Sequence, residues 1–349
     1  FSSQSYTKKA KAILTDIVHK TQHLFAPQEN LLPRIVQAEG DEYSRSIRYL
    51  QGAGYPIYQH TRTHYLASGE VKLARMLEEL RKAQHYIFIE YFIVEEGTMW
   101  NSILDILKEK AQQGLDVRFL YDDMGCFFRL PPDYPSTLAQ FGIKCAVFNK
   151  FRPVLSTLQN NRDHRKIAVI DGKVAITGGV NLADEYINAV ERFGHWKDAA
   201  VIIEGEGAWS MTMMFLQMWG LTTNTREDYS QFRPWQHEPC PIPSDGWVQP
   251  YADNPIDDEH VGEHVYLELI TSAKDYLYIN TPYLIIDDTM LSALALAAKT
   301  GVDVKVITPH KWDKQFVRIT SRSYYRDLIQ AGVEIYEYTQ GFTHGKTFV

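Results

Sequence analysis

Apolar positions along the chain switch between a helical period and a strand period, and the order of the switching occurs twice. Residues 72–82 place apolar side chains at helical spacing and predict a helix that leads into a β-rich apolar run over 86–94. A second helical stretch covers 100–113. Gly114 follows it, where a left-handed residue commonly ends a helix. Residues 115–121 then read as a buried strand, 134–141 as a helix stopped at Gly142, and 144–148 as another strand. Upstream, residues 6–24 predict a long helix followed by a proline-containing break. Residues 222–255 are rich in Pro, Asp, Gln and Thr and show little periodicity.

The text of these elements returns further along. AQHYIFIE at 83–90 becomes AKDYLYIN at 273–280, and GLDVR at 114–118 becomes GVDVK at 301–305. LAQFGI at 138–143 becomes LIQAGV at 328–333, and HRK at 164–166 becomes HGK at 344–346. Four blocks in one order at a nearly constant offset mark an internal duplication. Strands alternating with helices predict an α/β fold: two repeats, each a mostly parallel sheet flanked by helices. Groups that do chemistry in such sheets lie beyond the carboxyl ends of the strands. The expected division is an N-terminal helical extension over 1–55, a first repeat over 56–221, a connection over 222–255 and a second repeat over 256–349.

The chemistry gathers at the last block. His164-x-Lys166 is followed by Asp171, then by Gly178-Gly179-x-Asn181. Residues 166–170 predict a strand, Asp171-Gly172 a hairpin turn, and 174–177 the returning strand. Side chains two apart on a strand share a face, so His164 and Lys166 project together. Phosphodiester transfer needs a nucleophile, a proton donor for the leaving oxygen and positive charge around the phosphoryl oxygens. Two facing motifs, His164/Lys166 and His344/Lys346, supply all three, with donors near Asn181 and Gly179 helping to hold the anion. No metal ion and no cofactor is required. Asp171 carries two readings, a catalytic carboxylate or a structural acceptor in its turn.

Composition narrows the partners. The net charge of −7 and the lack of a dense basic stripe weigh against nucleic acid. Three cysteines without a C-x-x-C pair make a poor disulfide framework and fit a reducing compartment. No apolar run is long enough to span a bilayer. The chain begins with Phe1 rather than Met, which suggests that residues precede it, with room among them for an anchor that this sequence does not contain.

These residues resemble the phospholipase D superfamily, whose motif is H-x-K-x4-D followed by a Gly/Ser-Asn element. Gly194 to Asp198 (GHWKD), Thr281 to Leu284 (TPYL) and the stretch from Ala331 to Lys346 resemble its bacterial cardiolipin synthase branch over roughly residues 55–349. The resemblance implies a two-step displacement through a phosphohistidine. A phosphatidyl group would pass from one phosphatidylglycerol to another, with release of glycerol. It implies His164 as nucleophile, His344 as acid and base, and Asp198 as the carboxylate that orients the first histidine. Glu90 and Asn280, at matching strand ends, are cleft candidates. The implied partners are an anionic phospholipid (phosphatidylglycerol) and a membrane surface, on the cytoplasmic side of a bacterial cytoplasmic membrane. A hydrolytic phospholipase D, a nuclease of the same superfamily and a non-catalytic membrane scaffold are the alternatives. In the second repeat, the acidic residue and Gly/Ser-Asn element expected after Lys346 fall beyond Val349.

Plainer readings stand beside these. The Met-rich run 211–219 reads as a core helix, and His195 and Trp196 as packing that shapes the site. The Cys126-Phe127-Phe128 loop reads as packing, as a groove lining or as a bilayer contact; residues 152–158 carry the same ambiguity. The acidic cluster 253–259 reads as a solvated face or helix start.

Overall fold

The structure is a computed structural model that describes residues 2–25, 31–150, 162–235, 238–243, 246–253 and 259–349, with side chains from residue 8 onward. Residues 152–158 and 254–258 of the sequence reading lie outside the described residues.

Thirteen strands are described: β1 (Thr61–Leu66), β2 (Tyr86–Tyr91), β3 (Asp116–Asp122), β4 (Lys144–Phe148), β5 (Lys166–Ile170), β6 (Val174–Gly178), β7 (His195–Lys197), β8 (Ala200–Gly205), β9 (Tyr276–Asn280), β10 (Asp303–Pro309), β11 (Glu334–Tyr338), β12 (Gly341–Thr343) and β13 (Thr347–Phe348). The first sheet runs β1-β8-β6-β5-β2-β3-β4 and the second β11-β10-β9-β13. The duplication is visible in the pairing. β4, β3 and β2 are parallel with β5 antiparallel beside β2; β11, β10 and β9 are parallel with β13 antiparallel beside β9. The register matches too. Ile167, next after Lys166, pairs with Glu90, and Thr347, next after Lys346, pairs with Asn280.

Within the first sheet, parallel pairing is confined to this repeated core. β5, β6, β8 and β1 extend the first sheet in antiparallel fashion. The tight turn after the motif strand dictates that: Asp171 and Gly172 both adopt positive φ (52° and 64°) in the three-residue connection between Ile170 and its partner Val174.

Helices Gly69–Lys82 and Thr98–Gln112 pack on one face of the first sheet, around Met76, Leu80, Trp100 and Leu107. Helix Ala208–Thr223 packs on the other, with the Phe215 ring 4.8 Å from Phe88. Met211, Met213, Met214 and Met218 are buried there, so the Met-rich run is core. Helices Ser2–Phe25, Leu32–Glu39 and Ser44–Gly52 precede the first sheet. The second sheet has its own core around Leu277, Val304, Val306 and Leu328.

Asp171 proves to be a strand clamp. Its carboxylate accepts hydrogen bonds from the backbone N–H groups of Gln84, His85 and Tyr86, each at 2.8 Å. It fastens the far end of β5 to the start of β2, five residues and roughly 16 Å from Lys166 at the usual strand rise. The catalytic reading of Asp171 is therefore corrected: the hairpin points its side chain at the β2 backbone, away from the histidines. Asp171→Ala should leave three backbone donors without their acceptor, the buried Tyr86 N–H among them, and lower the unfolding free energy by about 2 kcal/mol. Urea unfolding would measure this, and turnover per folded molecule should stay within about threefold of wild type.

Candidate active site

The two motifs meet because strands from different repeats pair. β7 and β12 form a two-stranded parallel sheet, with His195 opposite Gly341 and Lys197 opposite Thr343. The pairing continues into the motif, where the His344 N–H donates to the Lys197 carbonyl at 2.6 Å. Close approach requires a glycine at 341, where a Cβ would overlap the His195 backbone. The strand β7 thus carries the second histidine into the first repeat.

Asp198 follows β7 directly and is 1% exposed. Its Oδ2 lies 2.7 Å from His344 Nδ1. The sequence reading gave Asp198 to the first histidine; the structure gives it to His344, because β7 lies beside β12. Gly179 is the residue that admits the carboxylate, since a Cβ there would overlap Asp198 Oδ1. A carboxylate on the inner ring nitrogen fixes the tautomer and steadies the imidazolium.

The cations crowd around this pair. Lys166 Nζ lies 3.2 Å from His164 Nδ1, and Lys346 Nζ lies 3.1 Å from both ring nitrogens of His344. Burial pushes the Lys166 ammonium down to about 7, helped by Lys346, while Asp163 and Asp198 resist. Burial likewise pushes Lys346 down to about 8 against the pull of Asp198. The His164 ring faces the cleft beside Phe92, at 4.7 Å between ring centres. Desolvation within the cleft and then Lys166 and Lys346 hold its imidazole far below the usual range. His344 is also lowered, first by burial and then by Lys346, with Asp198 opposing. A cavity of about 390 Å³ is lined by His164, Lys166, Gly179, Met214, Tyr251 and Lys346.

The other candidates sort by what occupies their polar atoms. Asn181 is engaged at both ends: Oδ1 accepts from Ile93 N at 3.1 Å, and Nδ2 donates to the Tyr186 hydroxyl at 2.7 Å. It braces the walls rather than reaching into the cleft. Glu90, expected in the cleft, is fully buried and paired with Arg165 at 2.6 Å. Arg165 lines the same cavity as His164 and Lys166, whereas Glu90 lies beneath it and does not reach the cavity. Burial raises the Glu90 carboxyl, and Arg165 opposes the rise.

In the second repeat the same two positions hold Asn280 and Gly345. A Cβ on Gly345 would crowd the Asn280 amide nitrogen, and Asn280 Oδ1 accepts from Thr343 at 3.0 Å. One repeat fills this place with an ion pair, the other with an amide packed against a glycine. Trp196 is buried 5.6 Å from His344, and His195 is exposed with Nδ1 2.8 Å from the Tyr338 hydroxyl. Asp253 accepts from Gly262 N at 2.8 Å, which makes it a helix-start acceptor. Cys126 and Leu130 are buried, whereas Phe128 is 94% exposed.

Lys72 was not among the residues singled out in the sequence. It is 1% exposed, its Nζ has no hydrogen-bond partner among the described residues, and it sits 4.7 Å from the centre of the Tyr91 ring. Burial pushes it down to about 7, and Asp198 pulls it back up. The signal was available: Lys72, Met76 and Leu80 share a helix face, so Lys72 stands on the apolar stripe.

Such a site can bind a phosphodiester between two histidines of different charge preference. Asp198→Asn should lower turnover at least a hundredfold with the fold retained, and Gly179→Ala should do the same by displacing the carboxylate; steady-state kinetics with circular dichroism checks both. Lys72→Met should stabilise the protein. An unfolded lysine titrates near 10.5 and this one near 7, so the cost of folding is full below pH 7 and shrinks as pH rises toward 10.5. Urea titrations at pH 6 and pH 9 should show the larger gain at pH 6, on the order of a few kcal/mol at about 1.4 kcal/mol per pKa unit.

Residues 76–219 and 266–349 match the family model described as cardiolipin synthase, PLD-like domain. An uncharacterized protein of Streptococcus mutans is 44% identical over 346 residues, which cover 98% of this chain and 74% of that protein. A cardiolipin synthase of Alkalihalophilus pseudofirmus is 38% identical over 296 residues, 84% of this chain and 58% of that one. The chain therefore spans little more than half the length of that synthase. The crystal structure of phosphatidylserine synthase from Haemophilus influenzae Rd KW20 shares the fold, with a TM-score of 0.57 over 88% of this chain and 80% of that one at 15% identity. With both His–Lys motifs inside the matched residues, the chain belongs to the family of phospholipase-D-like cardiolipin synthase domains.

Proposed function

We propose that this protein is the catalytic part of a phosphatidyltransferase that joins two phosphatidylglycerols into cardiolipin and releases glycerol. The observation that carries the reading is the asymmetry of the two histidines: His344 is held by the Asp198 carboxylate, and His164 stands among lysines with no carboxylate in its described contacts. A nucleophile must arrive unprotonated, and the surrounding cations favour that state for His164. A general acid must carry a proton, and Asp198 favours it on the far nitrogen of His344.

A His164 ring nitrogen attacks the phosphorus of the first phosphatidylglycerol. The bond from phosphorus to the head-group glycerol oxygen breaks, and His344 gives that oxygen its proton. The phosphatidyl group now rests on His164. His344, unprotonated, takes the proton from a hydroxyl of a second phosphatidylglycerol, and that oxygen attacks phosphorus and frees His164. Lys166 and Lys346 hold the non-bridging oxygens throughout. Family membership and the curated cardiolipin synthase relatives support the substrate class. The reaction belongs at a membrane surface, on the cytoplasmic face of a bacterial cytoplasmic membrane.

The test is labelled phosphatidylglycerol in mixed micelles with excess EDTA, followed by product mass. Cardiolipin with free glycerol in equal amounts is expected, and His164→Ala should stop both. Phosphatidic acid without cardiolipin would move the reading to hydrolysis, with water as the acceptor. Normal turnover by His164→Ala would sink the mechanism.

A further inference from the structure

Two segments outside the chemistry stand at the same place in the two repeats. One follows β3 and presents Phe127 and Phe128, 46% and 94% exposed. The other follows β10 and forms the helix Gln315–Ser323, which presents Phe316 and Ile319, 77% and 61% exposed. Residues three apart on a helix share a face, so Phe316 and Ile319 make one apolar edge.

Both segments flank the mouth of the cleft. On the first side, Cys126 packs on the Phe92 backbone, and the Phe92 ring lies 4.7 Å from His164. On the second, Asp313 accepts a 2.7 Å hydrogen bond from the Tyr283 hydroxyl, Lys314 Nζ stands 6.0 Å from the Tyr283 ring, and that ring lies 6.4 Å from His344. The charge is as uneven as the hydrophobicity. In a chain of net charge −7, residues 314–326 contain Lys314, Arg318, Arg322 and Arg326 and no acidic residue. Arg322 is bound to Glu337; Lys311 and Lys314 are exposed at the edge of the cleft.

We infer that these two segments form one docking face for an anionic phospholipid bilayer: the four apolar side chains enter the interface while the basic residues meet the head groups. The inference rests on the lipid-substrate reading and adds where the bilayer sits. Large exposed apolar groups bordered by cations are the features that hold a protein in the interfacial plane. A face at the cleft mouth also shortens the path of a lipid phosphate from the head-group layer to His164. The basic segment selects this occupant over a second copy of the chain, since a copy would bring its own basic segment to the contact.

Sedimentation with vesicles of phosphatidylglycerol and phosphatidylcholine tests it, using the whole chain. Wild type should bind the anionic vesicles at least tenfold more tightly than pure phosphatidylcholine, and added salt should weaken the binding. Phe316→Glu with Ile319→Glu, and separately Phe128→Glu, should each weaken it about tenfold or more. Both variants should melt with wild type and keep wild-type turnover on short-chain phosphatidylglycerol dissolved as monomers. Undiminished vesicle binding by the variants would overturn the proposal. So would equal binding to both vesicle types, or a wild-type dimer in solution that Phe316→Glu dissociates. Docking without any turnover of phosphatidylglycerol would leave this face standing and remove the proposed reaction instead.

Discussion

One buried carboxylate organises the centre of this protein. Asp198 bonds His344 across the seam between the repeats, and its charge opposes the loss of protons from Lys72, Lys166 and Lys346. Lys72 and Lys166 are buried and Lys346 stands in the cleft, and desolvation is the first cause of the lowering of all three. The carboxylate is in turn admitted by Gly179 and placed by β7, whose pairing with β12 requires Gly341. Sheet, glycines and charge are therefore one device: the β7–β12 pairing brings His344 to the place where Asp198 holds it.

Duplication explains why this device is asymmetric. Both repeats supply a strand ending in His-x-Lys beside a parallel core, with identical register against β2 and β9. Around that shared frame the details diverge. The first repeat backs its motif with the Glu90–Arg165 pair, and the second with Asn280 against Gly345. The first supplies Asp198 to the second's histidine, leaving His164 among cations. A strictly symmetric dyad would give two histidines of equal proton affinity. The divergence separates them, as the acid and nucleophile of the proposed mechanism would require.

The repeat, the strand and helix pattern and the two His–Lys pairs were legible in the sequence because they depend on local spacing. The side-chain period of two places His164 with Lys166, and the text of β2 and β3 returns in β9 and β10. What was not legible depends on contacts between distant segments. Nothing in the interval from Asp198 to either histidine says which one it meets; that follows from the pairing of β7 with β12. Asp171 sits inside the motif, yet its oxygens are spent on the backbone of residues 84–86, which only the fold brings near. Likewise β1 joins β8 across more than a hundred residues and turns the first sheet mostly antiparallel at that side. Lys72 is the intermediate case, since helical periodicity placed it inward but its partner is a ring and a remote carboxylate.

The same cluster sets the terms for the ligand. In the free protein, Asp198 acts on Lys72, Lys166, Lys346 and His344, with Asp163, Asp122 and Asp313 adding to its pull on the two motif lysines, yet desolvation still holds each of these cations below its ordinary value. A phosphodiester brings a further anion, and its oxygens would satisfy Lys166 and Lys346 while Lys72 remains behind with Asp198. Binding and protonation are then linked. An anion bound there raises the proton affinity of the lysines and of His344, which in the proposed mechanism would charge the group that protonates the leaving oxygen. The stability forfeited by burying unpaired cations in the free protein is the reverse side of that linkage, because a site already neutralised from within would have no preference left for the phosphate.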